Sequence, residues 1–360
     1  MLLFRSLFIQ LIPAFLLSTA VLTFVLSVDT VHKLINLIVE RGVGIGSVSL
    51  MLLYRLPQFL SVTLPLAMVI TVALLVVRLS SDLEMTALRA AGMSLWRIGL
   101  PIFAFGLLAT GIALTITLWL QPQGYSAFEA EKVRVLKSQT ARTIQPRILN
   151  FDFPGKVLYV QEKLEEDRLS GVFIADRELN QDSMVTVANS GRVEVDERGL
   201  ALHLDQGTIH LEGEEAAYRM IDFATFRYSF RPPRIDDSEQ DGHIWGVPTP
   251  KLLEDSSASG RLELLLRLTT PWACLAFSLA MLPLAISDPR VGRTGAYLRA
   301  LILVVSHYIL WLGSKEMVAG LGQSPHLLWL PPLLIALFGL YQILKLDHHA
   351  RSAFELLRTT

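Results

Sequence analysis

Few residues in this chain have the type and spacing to do chemistry, and the most informative lie in one short polar segment, Ser80 to Arg97, SSDLEMTALRAAGMSLWR. Ser81-Asp82-Leu83-Glu84 has the S-x-x-E spacing of a capping box, in which the serine hydroxyl and the glutamate carboxylate satisfy orphan backbone donors at a helix start. The helix predicted from there puts Leu83, Ala87 and Ala91 on one face with Leu88 and Leu95 beside them, while Asp82, Met85 and Arg89 point elsewhere. Gly92 either ends this helical run or permits close packing. Alanines and a glycine along one face let another protein come near the backbone, so Asp82, Glu84, Leu88, Arg89 and Gly92 are candidate partner contacts. Glu84 reads equally well as a plain helix cap.

Other chemistry is missing. The sequence contains no G-x-x-x-x-G-K-[ST] phosphate loop, no H-E-x-x-H, no paired cysteine motif and no G-x-S-x-G elbow. Gly322-Gln323-Ser324 is a poor nucleophile candidate in a short loop, and His348-His349 reads as a solvated helix end. The chain is therefore read as non-enzymatic, with no cofactor and no metal of its own. Ion-coupled transport needs ionisable groups within the spans, and the one mid-membrane candidate, His307, reads first as a buried histidine bonded to a neighbouring helix.

The elements that must position the polar segment are apolar. The 360 residues are 52% hydrophobic and 18% charged with a mean hydropathy of +0.45, too apolar for an ordinary soluble protein. A bilayer core of ~30 Å needs ~20 apolar helical residues. Leu7–Val28, Leu56–Val77, Ile98–Leu120, Leu268–Ile286 and Leu327–Leu344 meet or nearly meet that length, and Tyr297–Ser314 joins them if Arg299 snorkels to the interface, giving six spans. Arg5, Arg78, Arg89, Arg97, Arg290, Arg293, Arg299, Lys345, Arg351 and Arg358 gather on one side, against Lys33, Arg41, Arg55 and Lys315 on the other. The richer side is the cytoplasmic one, which places both termini inside. The first apolar run is long and has no obvious small-x-small cleavage site before Asp29, so it reads as a retained helix.

With three spans on either side, the polar stretch from about Gln121 to Arg261 lies on the outer face. It reads as short strands at Lys156–Lys163, Leu169–Asp176, Met184–Asp196, Leu200–Leu211 and Tyr218–Phe230, separated by glycine, aspartate and asparagine turn signals. Leu202-His203-Leu204 and Ile209-His210-Leu211 alternate with period two, as in a half-buried sheet. The expected fold class is a six-span α-helical membrane protein with an inserted all-β, jelly-roll-like domain. After Arg231-Pro232-Pro233-Arg234 an acidic, proline-interrupted linker returns to the membrane, and the single cysteine, Cys274, falls within the fourth span. A net charge of −1 gives no reason to expect a nucleic acid partner.

Three matches carry a resemblance. Ser81 to Ser94, SDLEMTALRAAGMS, resembles the coupling-helix motif of the lipopolysaccharide export permeases LptF and LptG, the YjgP/YjgQ family. Arg261-Leu262-Glu263 through Arg267-Leu268 and Pro271, entering a span that ends Leu282-Pro283-Leu284, is a second match; Asp288-Pro289-Arg290-Val291-Gly292-Arg293 is a third and is similar to the LptF branch. This sequence lacks the histidine that the family often carries after the position of Leu264.

The resemblance implies an ABC-type permease half in the inner membrane. An LptF-like and an LptG-like chain pair over an LptB-like ATPase dimer that binds ATP and Mg, and lipopolysaccharide passes through the β-domain to LptC-like and LptA-like periplasmic proteins. Residues 1–120 then hold spans one to three with the coupling helix at 80–97, 121–247 the periplasmic β-domain, 248–267 the linker, 268–346 spans four to six, and 347–360 a cytoplasmic tail. A greasy route is needed because each buried methylene of an acyl chain is worth ~0.8 kcal/mol. Phe151, Leu204 and Ile209 are candidates to line it, with Phe173, Val185 and Val187 also available. Lys33, Arg41, Arg55 and Lys315 could meet lipid phosphates near the outer leaflet. The competing readings are an ABC mechanotransmitter, which typically has four spans, and a scaffold that merely displays a β-domain.

Overall fold

The computed structural model describes residues 2–41, 43–143, 146–153, 156–164, 168–176, 183–196, 199–212, 218–230, 242–255, 257–286 and 294–359. Among the described residues, six helical stretches are long and apolar enough to cross a membrane: Leu2–Ile35, Ile45–Ser81, Leu95–Val135, Ala258–Ala285, Thr294–Leu321 and Pro325–His348. Three precede and three follow a six-stranded antiparallel sheet. The helices are α1 (Leu2–Arg41), α2 (Ile45–Ser81), the short α3 (Glu84–Ala90), α4 (Leu95–Thr115) and α5 (Gln121–Thr143), then α6 (Gly242–Trp245), α7 (Thr249–Glu254), α8 (Ala258–Thr269), α9 (Ala273–Ala285), α10 (Thr294–Leu321) and α11 (Leu330–Thr359). A π-helical turn at Ile116–Leu120 joins α4 to α5, so the third helical stretch runs into polar sequence far beyond its apolar run. The motif at 288–293 and the Arg231–Arg234 run lie outside the described residues.

Two compact units are present, one of Met1–Lys33, Leu52–Ser126 and His243–Thr360, the other of Leu34–Met51 and Ala127–Gly242. In the first, small residues set the packing. A Cβ on Gly339 of α11 would lie 2.5 Å from the Ala280 nitrogen of α9, and one on Gly106 of α4 would lie 2.5 Å from the Ser278 hydroxyl of the same helix. Such contacts let apolar helices pack backbone to backbone, which is how helices associate where water offers no hydrophobic drive. Phe277, Met281, Leu95, Ile98 and Ile102 are fully buried around this seam. His307 on α10 is buried and packs edge-on against Phe277 with ring centroids 4.8 Å apart.

The second unit contains strands β1 (Leu149–Phe153), β2 (Lys156–Lys163), β3 (Arg168–Asp176), β4 (Ser183–Asp196), β5 (Gly199–Glu212) and β6 (Tyr218–Phe230), paired antiparallel in sequence order. The topology is thus a meander in which each strand pairs with its neighbours in sequence. Leu169, Gly191, Leu204 and Phe226 form one row of register partners across β3 to β6, and Val172, Ala188, Gly207 and Phe223 form another. The two rows are three residues apart on every strand, yet both face the same apolar cluster. Strict alternation would send them to opposite faces, so each strand carries an extra residue at the same level. This crease bends β3 to β6 together and continues into β2, where Val160 and Lys163 partner Val172 and Leu169, and Gly171 (φ 62°) and Gln206 (φ 53°) adopt left-handed backbone within it.

Bending brings the sheet onto itself. Leu158, Val160 and Ile174 on one side of the crease and Leu202 and Leu204 on the other are all 0% exposed. The Tyr228 hydroxyl of β6 donates to the Asp176 carboxylate of β3, three strands away in a flat sheet, and Lys156 pairs with the same carboxylate at 3.3 Å.

Candidate functional site

The α3 segment is built differently from a capping box. The Ser80 and Ser81 hydroxyls donate back to the Val76 and Val77 carbonyls at 2.8 Å, so α2 continues through both serines. This is the ordinary way for serine to satisfy its hydroxyl within an apolar helix. Leu83 then reverses the chain with φ 60°, and no side chain caps α3. A left-handed non-glycine residue costs on the order of 1 kcal/mol. The face of Leu83, Ala87 and Ala91 lies outward. Met85 is the residue buried beneath α3, whereas Leu83 is 57% exposed, and Glu84, Ala87 and Ala91 lie exposed with it.

The exit of α3 is regular. Gly92 (φ 80°) follows the helix, with the Gly92 amide on the Arg89 carbonyl and the Met93 amide on the Leu88 carbonyl, the two bonds of a Schellman stop. Beyond it, Ser94 caps α4 through the Arg97 amide at 3.3 Å. Asp347 of α11, which no sequence motif marks, completes the arrangement. Its carboxylate accepts the Leu95 amide at 2.7 Å and the Trp96 amide at 3.4 Å, and it pairs with Arg89 at 3.4 Å. Arg89 also donates to the Leu346 carbonyl at 3.1 Å. A carboxylate at the positive end of α4 is favoured by the free amides and by the helix dipole. Of the five candidates, Arg89 therefore faces inward to α11, Leu88 packs on the core cluster, Asp82 pairs with Arg78 at 3.6 Å, and Glu84 and Gly92 remain at the surface.

At the far end of the α4 helix, about 35 Å along a rise of 1.5 Å per residue, the chain following the β-strands is fastened down. Arg267 of α8 is 2% exposed. It donates to Glu263 at 2.7 Å, to the carbonyls of Ile244 (3.2 Å), Trp245 (2.9 Å) and Val247 (2.9 Å), and to the Thr249 hydroxyl at 3.2 Å. The π-helical turn takes part, because the Thr249 hydroxyl donates to the Leu118 carbonyl at 2.5 Å and the Thr117 hydroxyl to the Arg267 carbonyl at 2.9 Å. A buried guanidinium is tolerable only when its donors are paired this fully. A cavity of about 480 Å³ opens beside the clasp, lined by Leu118, Trp119, Pro122, Gln123, Ser126, Gly246, Pro248, Thr249 and Pro250.

Leu204 and Ile209 both point into the apolar cluster of the sheet, whereas Val187 is 43% exposed and Phe173 and Val185 lie on the opposite parity. His203 faces outward and bonds Glu194. The side chains of Phe151 and Arg41 lie outside the described residues. The cations are distributed over different helices: Lys33 pairs with Asp29 at 3.0 Å on α1, Arg55 on α2 donates to Gln58 at 2.6 Å and lies over the Tyr125 ring, and Lys315 is half-buried on α10. Among the described residues no group of three or more His, Cys, Asp or Glu is placed to hold a metal.

Two triplets of membrane-spanning helices around an inserted antiparallel sheet define a multi-pass membrane protein with a β-domain between its third and fourth spans. The chain belongs to the lipopolysaccharide export system permease LptF/LptG family, which it matches over residues 5–345. It is 22% identical over 327 residues to the lipopolysaccharide export system permease protein LptF of Escherichia coli K12, covering 86% of each chain, and equally so to that of Shigella flexneri. An uncharacterized protein of Rickettsia prowazekii, RP871, is 21% identical over 208 residues, 58% of each chain. Membership makes this chain a transport subunit of lipopolysaccharide export.

Proposed function

We propose that this chain is one permease half of an ABC-type exporter that lifts lipopolysaccharide from the inner membrane into its β-domain and on toward a periplasmic bridge. The observation that carries the reading is α3, seven residues long with Glu84 and the small residues exposed, while Arg89 and Asp347 tie its far end to α11. A short helix held this firmly passes a push to the bundle rather than absorbing it. On this reading the α3 end is cytoplasmic, both termini lie there, and the β-domain is periplasmic. An LptB-like ATPase dimer supplies ATP and Mg, an LptG-like chain is the second permease, and LptC-like and LptA-like proteins receive the lipid.

Six candidate spans rather than four count against a mechanotransmitter. A displayed scaffold would have no use for a braced α3. The apolar cluster containing Leu204 and Ile209 is the surface offered to acyl chains. Lys33 and Lys315 are assigned to phosphate contact, Lys33 exchanging Asp29 for the ligand. The test is co-expression with an LptB-like ATPase and an LptG-like permease. Recovery of a complex whose ATPase activity depends on Glu84 supports the reading, and a chain that purifies alone with or without Glu84 refutes it.

A further inference from the structure

The inner face of the β-sheet is shut. Leu158, Val160, Ile174, Leu202 and Leu204 have no exposed surface, so an acyl chain cannot reach them while the sheet is folded as it stands. Two features bear on how it would open. The crease divides β3 to β6 at one level, leaving Val172, Ile174 and Asp176 on one side and Leu202, Leu204 and Tyr228 on the other. Each side keeps its own ladder of cross-strand hydrogen bonds, so bending about the crease separates the halves without unpairing a strand.

Across the closed fold, Tyr228 and Asp176 make a polar contact. Asp176 has a fully buried side chain, Tyr228 is 4% exposed, and Lys156 pairs with Asp176 while lying 5.4 Å above the Tyr228 ring. A hydroxyl donating to a buried carboxylate is among the stronger neutral-to-charged bonds, and its geometry is met only with the halves together. The closed core also contains a flaw: the Thr186 hydroxyl is buried with no hydrogen-bond partner. Closing therefore leaves one polar group stranded, and opening returns it to solvent or ligand.

We propose that the crease is a hinge and the Tyr228–Asp176 contact a latch, so that the β-domain alternates between a shut core and an open groove that takes an acyl chain. This rests on the reading that the inner face carries lipid, but the mechanics can be measured without any lipid. Hydrogen exchange is read on the full-length protein in nanodiscs. Tyr228→Phe keeps the ring and removes only the donor, and it should raise exchange at the amides of β3 and β6 by about tenfold, the factor for loss of one such bond. Asp176→Asn keeps an acceptor but loses the charge, and it should raise exchange by a smaller factor. Exchange as in the wild type in both variants would overturn the latch.

The second arm locks the domain. Cysteines at 176 and 228 in a Cys274→Ala background, joined by a short bis-maleimide, should abolish lipopolysaccharide capture by a photo-reactive residue at 204, while Tyr228→Phe should increase it. Undiminished capture in the cross-linked protein would overturn opening as the entry route. Absence of capture in every form, with exchange still raised by Tyr228→Phe, would refute the lipid-carrying reading and leave the hinge and latch standing.

Discussion

The Asp347 carboxylate of α11 accepts the Leu95 amide at 2.7 Å, closing the start of α4 from a helix more than 250 residues later in the chain. It also holds Arg89, so one side chain fixes both the exit of α3 and the entry of α4. Asp347→Ala should destabilise this junction by about 1–3 kcal/mol, the usual cost of stranding charge-assisted donors. Asp347→Asn, which keeps an acceptor, should cost less. Thermal unfolding of the detergent-solubilised protein ranks the two, and equal stability of both with the wild type would show the contact to be incidental.

Glu84 makes the contrasting case, because it is exposed and caps nothing. Glu84→Ala should leave unfolding unchanged within about 0.5 kcal/mol, as expected for a surface position, yet weaken association with the ATPase. The measurement is co-purified ATPase per permease. Loss of stability rather than of association would return Glu84 to a structural role.

The Arg267 clasp is a buried ion pair with five bonds, and breaking one partner differs from replacing both. Arg267→Met should cost about 3–5 kcal/mol through the stranded Glu263 and the freed carbonyls. Arg267→Met with Glu263→Leu should recover part of that loss. Hydrogen exchange over residues 244–250 reports the same event locally, and it should rise in the single variant first.

Face assignments in the sheet are testable at single-residue spacing. Photo-reactive residues at 204 and 209 should capture lipopolysaccharide during ATP turnover, and those at 203, 210 and 187 should capture far less. Equal capture at all five positions would point to contact without an inner groove.

The sheet and spans were legible in the sequence to different depths. Lys156–Lys163 and Tyr218–Phe230 are strands with the bounds their flanking turn signals predict, and the six apolar runs fall in membrane-length helices, with Ile286 one residue past the end of the fourth. Helix ends were less legible, since Ser80 and Ser81 carry capping chemistry but spend it on carbonyls of their own helix. β1 was missed as a strand of five residues, and α5 because its mean composition is polar. Asp347 and Arg267 could not be singled out as braces, because what makes each one matter is the set of backbone groups that tertiary packing aims at it.

The crease has a genetic consequence. A half-buried strand is written in a two-letter rhythm, and at the crease β2 to β6 skip a beat together. Deleting one residue between Leu204 and Gly207 would restore rhythm to β5 alone and set its downstream side chains out of phase with both neighbours. Lineages of this β-domain should therefore gain or lose residues here in all the creased strands at once, or in none.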